Sequence, residues 1–122
     1  DAPPGTSCPV ITAMKGTDFV LLVTEPTPFG LHDLTLAVEA VKILGIPHGL
    51  VINRADMGDG RVREYAEQEN IPILMEIPFY RTIAEAYSKG RLIVEIMPEW
   101  KAKFLELHDH IKQMVDNPGR FL

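Results

Sequence analysis

The chain alternates continuous apolar runs with stretches in which apolar residues recur every three or four positions. Residues 19–24 (FVLLVT) and residues 49–53 (GLVIN) are runs of the kind found in strands that are buried on both faces. A third run, residues 73–77 (ILMEI), is ended by Pro78. The pattern therefore predicts three β-strands.

Helical spacing fills the intervals between these runs. The apolar positions predict a helix that opens at Gly30 and is terminated by Gly45 and Pro47. Shorter helices are predicted over residues 61–69 and residues 82–89. The inward-facing positions of the first helix are Leu31, Leu34, Val38, Val41, Ile43 and Leu44.

The final segment, residues 98–122, is predicted to form an amphipathic helix and a tail. Strands that alternate with helices favour an α/β fold, in which a parallel sheet with right-handed crossovers is flanked by helices. We predict a single domain over residues 1–122, with an α/β portion over residues 1–97. The apolar stripe of the last helix comprises Trp100, Phe104, Leu107, Ile111, Met114 and Val115.

Composition and charge narrow the class of protein. The 122 residues carry 17 acidic and 12 basic side chains, so no nucleic-acid partner is expected, because a phosphate backbone requires a basic face. No apolar run reaches the roughly 18 residues that a membrane span needs. The single cysteine, Cys8, excludes an internal disulfide and favours a reducing, cytoplasmic location. Because the chain starts without methionine, we expect it to be a portion of a longer protein.

Candidate chemistry lies where strands end, because ligands of open α/β sheets bind beyond the carboxyl ends of the strands. Residues 1–6 (DAPPGT) have the residue types of such a strand end. The carboxylate of Asp1 could hold Mg²⁺ through water, and Gly5 would let a backbone N–H approach a terminal phosphate. A proline-rich turn explains the same residues equally well.

Three further segments follow the predicted strands. Residues 24–30 lead into a helix N-terminus, which favours anions. Asn53 and Arg54 could offer an amide to a base edge and a guanidinium to a ring face, although an asparagine that closes a turn is the better explanation without further context. Residues 77–81 (IPFYR) could wall a purine pocket, and an ordinary loop whose rings cover the core is an equal alternative.

Taken in order, these segments resemble one family, the MinD/Mrp/ParA group of deviant-Walker P-loop ATPases. Residues 1–10 (DAPPGTSCPV) resemble its switch II signature, and residues 23–34 (VTEPTPFGLHDL) resemble the strand and helix that follow. Residues 51–54 (VINR) resemble its base-binding asparagine motif. Residues 77–79 (IPF) and 83–90 (IAEAYSKG) resemble the last strand and the next helix. The most similar subgroup carries an inserted ferredoxin domain with two [4Fe–4S] clusters and is often labelled cobyrinic acid a,c-diamide synthase, or CobQ/CobB/MinD/ParA nucleotide-binding domain.

The resemblance implies a fold and a set of roles. The fold would be a partial P-loop NTPase of the SIMIBI type that lacks the Walker A strand. Residues 25–27 would face the partner subunit of an ATP-sandwiched dimer. The implied site residues are Asp1 for Mg²⁺ and the catalytic water, Gly5 for the γ-phosphate, Asn53 and Arg54 for adenine, and Pro78, Phe79 and Arg81 for the base pocket.

The departures from the family are equally informative. The chain contains no G-x-x-x-x-G-K-[ST] phosphate loop and no run of cysteines. We therefore expect the C-terminal half of an ATPase whose ATP, Mg²⁺ and any [4Fe–4S] clusters belong to the parent protein. Alone, the chain should hydrolyse nothing and bind no cofactor tightly. Loss of a central strand should leave residues 19–24 with an unpaired edge, which favours a homodimer, or association with the N-terminal half.

Two other functions remain as alternatives. The chain could be a non-catalytic interaction or dimerisation module that binds through its bare strand edge and its last helix. An amidoligase of the cobyrinate diamide synthase type would also need a glutamine-hydrolysing domain with a catalytic cysteine. It ranks last, because the residues around Cys8 do not resemble a nucleophile elbow.

Overall fold

A parallel β-sheet forms the centre of the chain. The computed structural model describes residues 8–117, and within them the strands are β1 (Val20–Thr24), β2 (His48–Asn53) and β3 (Ile73–Ile77). They lie in the order β1-β2-β3, and both pairings are parallel. The α/β fold with a parallel sheet and flanking helices is therefore confirmed.

Helices precede, connect and follow the strands. All four predicted helices are present, and the three between residues 28 and 89 lie within two residues of their expected ends. Two short helices had no counterpart in the sequence analysis, one before β1 and one before the last helix. The helices are α1 (Cys8–Met14), α2 (Pro28–Leu44), α3 (Arg61–Gln68), α4 (Arg81–Ser88), α5 (Ile93–Ile96) and α6 (Glu99–Asp116).

The main core lies between one face of the sheet and helices α2 and α3. Leu22 of β1 pairs in register with Leu50 of β2, so both side chains project to this face. Leu50 and Ile52 are fully buried there, since β2 is covered on both faces. The residues that pack against them are Leu34 and Val38 of α2, with Val62 and Ala66 of α3.

The opposite face is covered at its β3 side by the last three helices. Trp100 of α6 is 2% exposed and packs in a cluster with Ile83 of α4 and Ile93 of α5. Met75 and Ile77 of β3 complete this cluster. The predicted stripe of α6 is confirmed, because its members are buried or half-buried while most of the other positions of the helix are exposed.

Strand β1 departs from the sequence prediction. Its apolar run predicts burial on both faces, but Leu21 and Val23 are 36% and 65% exposed. Within residues 8–117, helices α4 to α6 lie towards β3 and leave this part of the face uncovered, and the outer edge of β1 pairs with no strand. Ile43, predicted to face inward, is 86% exposed instead.

No helix in the described part of the chain combines the length and apolar character that crossing a bilayer demands.

Candidate functional site

Three loops meet beyond the carboxyl ends of the strands. The turn after β1 contains Glu25 and Pro26, the loop after β2 begins at Arg54, and the loop after β3 contains Phe79. Gly58, in the second loop, lies against the carbonyl oxygen of Pro26, since a Cβ atom built on Gly58 would be 2.0 Å from that oxygen. Three of the four segments predicted from the sequence to bind ligands therefore lie along one edge of the sheet, and the fourth, residues 1–6, lies outside the described residues.

The turn after β1 is shaped by two threonines and a glycine. The N–H of Gly30 donates to Oγ1 of Thr27 at 2.9 Å, which caps the N-terminus of α2. The buried hydroxyl of Thr24 donates to the carbonyl of Gly30 at 3.0 Å. A Cβ at residue 30 would be 2.2 Å from the carbonyl oxygen of Glu25, so this close approach requires glycine.

Asn53 and Arg54 form a strained turn at the end of β2. Arg54 has a φ of +51°, in the left-handed region that residues other than glycine seldom adopt. Its backbone N–H donates to Oδ1 of Asn53 at 3.0 Å, which stabilises that conformation. The asparagine thus does close the turn through Oδ1, and this hydrogen bond leaves its Nδ2 group as a donor for a ligand.

The Arg54 side chain links the loops after β1 and β3. Its Nε atom is 3.7 Å from Oε1 of Glu25, and its guanidinium carbon lies 5.4 Å from the ring centroid of Phe79. The predicted base-binding residues Asn53, Arg54 and Phe79 are therefore close together. A planar guanidinium over an aromatic ring provides flat surfaces on which a purine ring can stack.

Asp56 is a residue of this edge to which the sequence analysis gave no role. Its Oδ1 atom accepts a hydrogen bond of 2.7 Å from the backbone N–H of Phe79. Next to it, the N–H of Ala55 donates to the carbonyl of Ile77 at 2.9 Å, and Arg63 donates to the carbonyl of Ala55 at 3.0 Å. An aspartate placed soon after a buried strand was the signal available in the sequence.

The remaining predicted site residues are not brought together in the same way. Pro78 is half-buried and directly precedes Phe79. The Arg81 side chain is 88% exposed and pairs with Glu85 of its own helix at 3.1 Å, rather than joining Arg54 and Phe79. Asp1 and Gly5, with the predicted magnesium and phosphate contacts, lie outside the described residues.

A groove of about 890 Å³ runs along β1 from this edge. Its walls come from α1 and α2, and its polar end is formed by Thr24, Glu25, Thr27 and Asn53. Along its length lie the side chains of the strand itself and the 85% exposed ring of Phe29. Within residues 8–117, no cluster of three His, Cys, Asp or Glu residues is placed to hold a metal ion.

The fold and the strand-end loops define an α/β protein with a candidate ligand site at the carboxyl edge of its sheet. No family model matches the chain. It is 32% identical over 116 residues to an uncharacterized protein of Methanocaldococcus jannaschii, an alignment that covers 95% of this chain and 37% of the relative.

Two relatives carry a functional name. The chain is 29% identical over 134 aligned positions to the iron-sulfur cluster carrier protein of Aquifex aeolicus, covering 96% of this chain and 37% of that protein. It is 27% identical over 101 positions to the protein of the same name from Rickettsia bellii, an alignment that covers 80% of this chain and 32% of that protein. The chain is thus a distant relative of iron-sulfur cluster carrier proteins, and it spans about a third of the length of the curated relatives that it matches.

Proposed function

We propose that this chain is the C-terminal portion of a MinD-superfamily ATPase, whose parent protein binds Mg-ATP and couples it to iron–sulfur or redox function. The similarity to two iron-sulfur cluster carrier proteins over most of the chain supports the iron–sulfur theme. The observation that carries the ATP-binding part is the meeting of Asn53, Arg54 and Phe79 at the carboxyl edge of a parallel sheet.

The three residues suit an adenine base. Asn53 keeps its Nδ2 donor for a base nitrogen, because Oδ1 is occupied by the turn. Arg54 and Phe79 would contact the face of the ring, and Pro78 precedes them in the same wall. Asp1 and Gly5 would supply the magnesium and γ-phosphate contacts implied by the family resemblance.

Hydrolysis requires more than this chain contains. Transfer of a phosphoryl group depends on positioned donors and a cation around the phosphates. The sequence has no G-x-x-x-x-G-K-[ST] loop to provide them. We therefore assign to this chain the base side of a nucleotide site, together with the Asp1 and Gly5 contacts, and place the phosphate loop and its lysine in another part of the parent protein.

The test is calorimetric binding of Mg-ATP to the full-length parent protein, with Asn53→Asp as the variant. Aspartate keeps the Oδ1 acceptor that the turn needs and removes the Nδ2 donor. We expect Asn53→Asp to weaken Mg-ATP binding at least about tenfold, the cost of one lost hydrogen bond in a polar site. The matched control is Gln113→Glu, the same chemical change on the exposed side of α6, and it should bind normally.

Three results would contradict the proposal or a part of it. If the full-length protein does not bind Mg-ATP, the nucleotide function is wrong. If Asn53→Asp binds as tightly as the parent protein, the base site lies elsewhere. The 122-residue chain alone should bind weakly or not at all, and tight binding by it would refute the division into base and phosphate sides.

A second candidate function is a non-catalytic interaction module. The specific observation in its favour is β1, whose outer edge pairs with no strand within residues 8–117 and whose Leu21 and Val23 are exposed. A strand edge of this kind is a template for another strand, either from a second copy of the chain or from the N-terminal half of the parent protein. The two functions are compatible, because the edge and the base site occupy different parts of the sheet.

A further inference from the structure

We propose that Asp56 is a positioning residue, whose carboxylate joins the loop after β2 to the loop after β3 and so holds Phe79 in place. The hydrogen bond that it accepts from the Phe79 N–H is called the clasp below. This inference rests on the proposed function, since it concerns the wall of the same base site. It adds a residue that the family resemblance does not assign.

The clasp is made by one carboxylate and one backbone amide. Oδ1 of Asp56 accepts the N–H of Phe79 at 2.7 Å, a short distance that is typical of a charge-assisted bond. The residues involved are 23 positions apart in the sequence, so the bond joins two separate loops. It fixes the backbone of Phe79, the residue whose ring lies beside the Arg54 guanidinium.

The other contacts show why this one bond matters. The backbone pairing of the two loops ends where Ala55 donates to the carbonyl of Ile77. Pro78, the next residue, has no N–H to donate. Phe79 is therefore the first residue after β3 that has a backbone N–H to donate, and it donates this N–H to the side chain of Asp56.

The geometry also explains how a change at Asp56 would reach the ligand. Phe79 is 37% exposed and lies in a loop two residues before the start of α4, so neither a strand nor a helix holds its backbone. Without the clasp, the backbone of Phe79 would be free to move, and the stacking partner of Arg54 would move with it. The predicted consequence is a weaker contact with the face of the base.

The experiment combines two readouts on the full-length parent protein. Hydrogen–deuterium exchange, resolved to the amide of Phe79, reports the clasp without any nucleotide. Calorimetry with Mg-ATP reports the base site. The variants are Asp56→Ala, which removes the acceptor, and Asp56→Asn, which keeps an oxygen acceptor at the same position. Asp59→Ala is the matched control, because Asp59 lies in the same loop and pairs with Arg61 instead.

We expect Asp56→Ala to accelerate exchange at Phe79 about tenfold and to weaken Mg-ATP binding by a similar factor. Asp56→Asn should keep the exchange rate at Phe79 and the affinity for Mg-ATP close to those of the unmodified protein. Asp59→Ala should change neither the exchange rate nor the affinity. Unchanged exchange in Asp56→Ala would overturn the clasp. Faster exchange with unchanged affinity would overturn the positioning role, and so would an Asp56→Asn variant that binds as weakly as Asp56→Ala. Failure of the unmodified protein to bind Mg-ATP would refute the proposed function, while the exchange readout would still decide the clasp.

Discussion

At the scale of single residues, Gly58 shows how closely the strand-end loops approach each other. It has a φ of +80°, and the carbonyl oxygen of Pro26 occupies the place that a side chain would need. Both features demand glycine, for separate reasons. The contact joins the turn after β1 to the loop after β2, so this glycine sets the spacing of the two loops.

Replacing Gly58 by alanine should lower the free energy of unfolding of the chain by about 1–3 kcal/mol, because alanine is strained at this φ and its Cβ would collide with backbone. Chemical denaturation measures the loss. Gly60→Ala is the control, since Gly60 has a negative φ and open space around it. Equal stability of the two variants would show that the loops separate without cost.

The individual residues of the site were only partly predictable. Asn53 ends the second apolar run and Phe79 follows Pro78, so the rule that ligands bind at strand ends marked both as candidates, and the family resemblance gave them their roles. Asp56 and Gly58 act through partners in other loops, and Arg81 turns towards Glu85 of its own helix. Such contacts depend on how the loops are arranged in space, which residue type and local spacing do not encode.

At the scale of elements, α2 carries the clearest local signals. Thr27 adopts an extended conformation and accepts the N–H of Gly30, and Gly45 ends the helix in the left-handed conformation. These are the capping features expected of a helix that begins and ends abruptly. The N-terminus of α2 therefore has a fixed position beside the candidate site.

Thr27→Ala should destabilise the chain by about 1 kcal/mol, because it removes the side-chain oxygen that satisfies a helix N–H. Thr27→Ser, which keeps the hydroxyl, should lose much less. Thermal or chemical denaturation of the two variants provides the comparison. An alanine variant as stable as the serine variant would mean that water replaces the cap at no cost.

The strands and helices were predictable where the pattern of apolar residues was long enough to show a strand-like run or a helical period. The three strands, and helices α2, α3, α4 and α6, followed from apolar runs and helical spacing. Helices α1 and α5 have seven and four residues, too few for a period to emerge. The exposure of β1 could not be predicted either, because an apolar run does not reveal whether another element covers it.

At the scale of the whole molecule, the exposed flank of β1 is the most unusual surface. Val23 is 65% exposed on a strand whose outer edge pairs with no strand within residues 8–117, and the groove of about 890 Å³ lies alongside. Soluble proteins normally protect such edges with charge or with a covering element. We infer that this surface is covered in the assembled protein.

Val23→Lys should weaken self-association of the 122-residue chain, because a lysine on an edge strand opposes the approach of a second strand. Sedimentation equilibrium would show a shift towards monomer, by about tenfold or more in dissociation constant. Leu105→Lys is the control, as Leu105 is also exposed but lies on α6. A chain that is monomeric before substitution would favour the N-terminal half of the parent protein as the partner instead.

The strand order also has a consequence for how the sheet assembles. Each strand pairs with the next one along the chain, Val20 with His48 and Leu50 with Ile73. Each pairing therefore closes a connection that contains a single helix, and the entropy cost of closing a loop grows only slowly with its length. The sheet can grow by one strand at a time during synthesis, without waiting for a distant segment. Within residues 8–117, β1 is the first strand of this series and β2 and β3 are added on its other side, so a strand that covers its outer edge can join before or after β2 and β3 have paired.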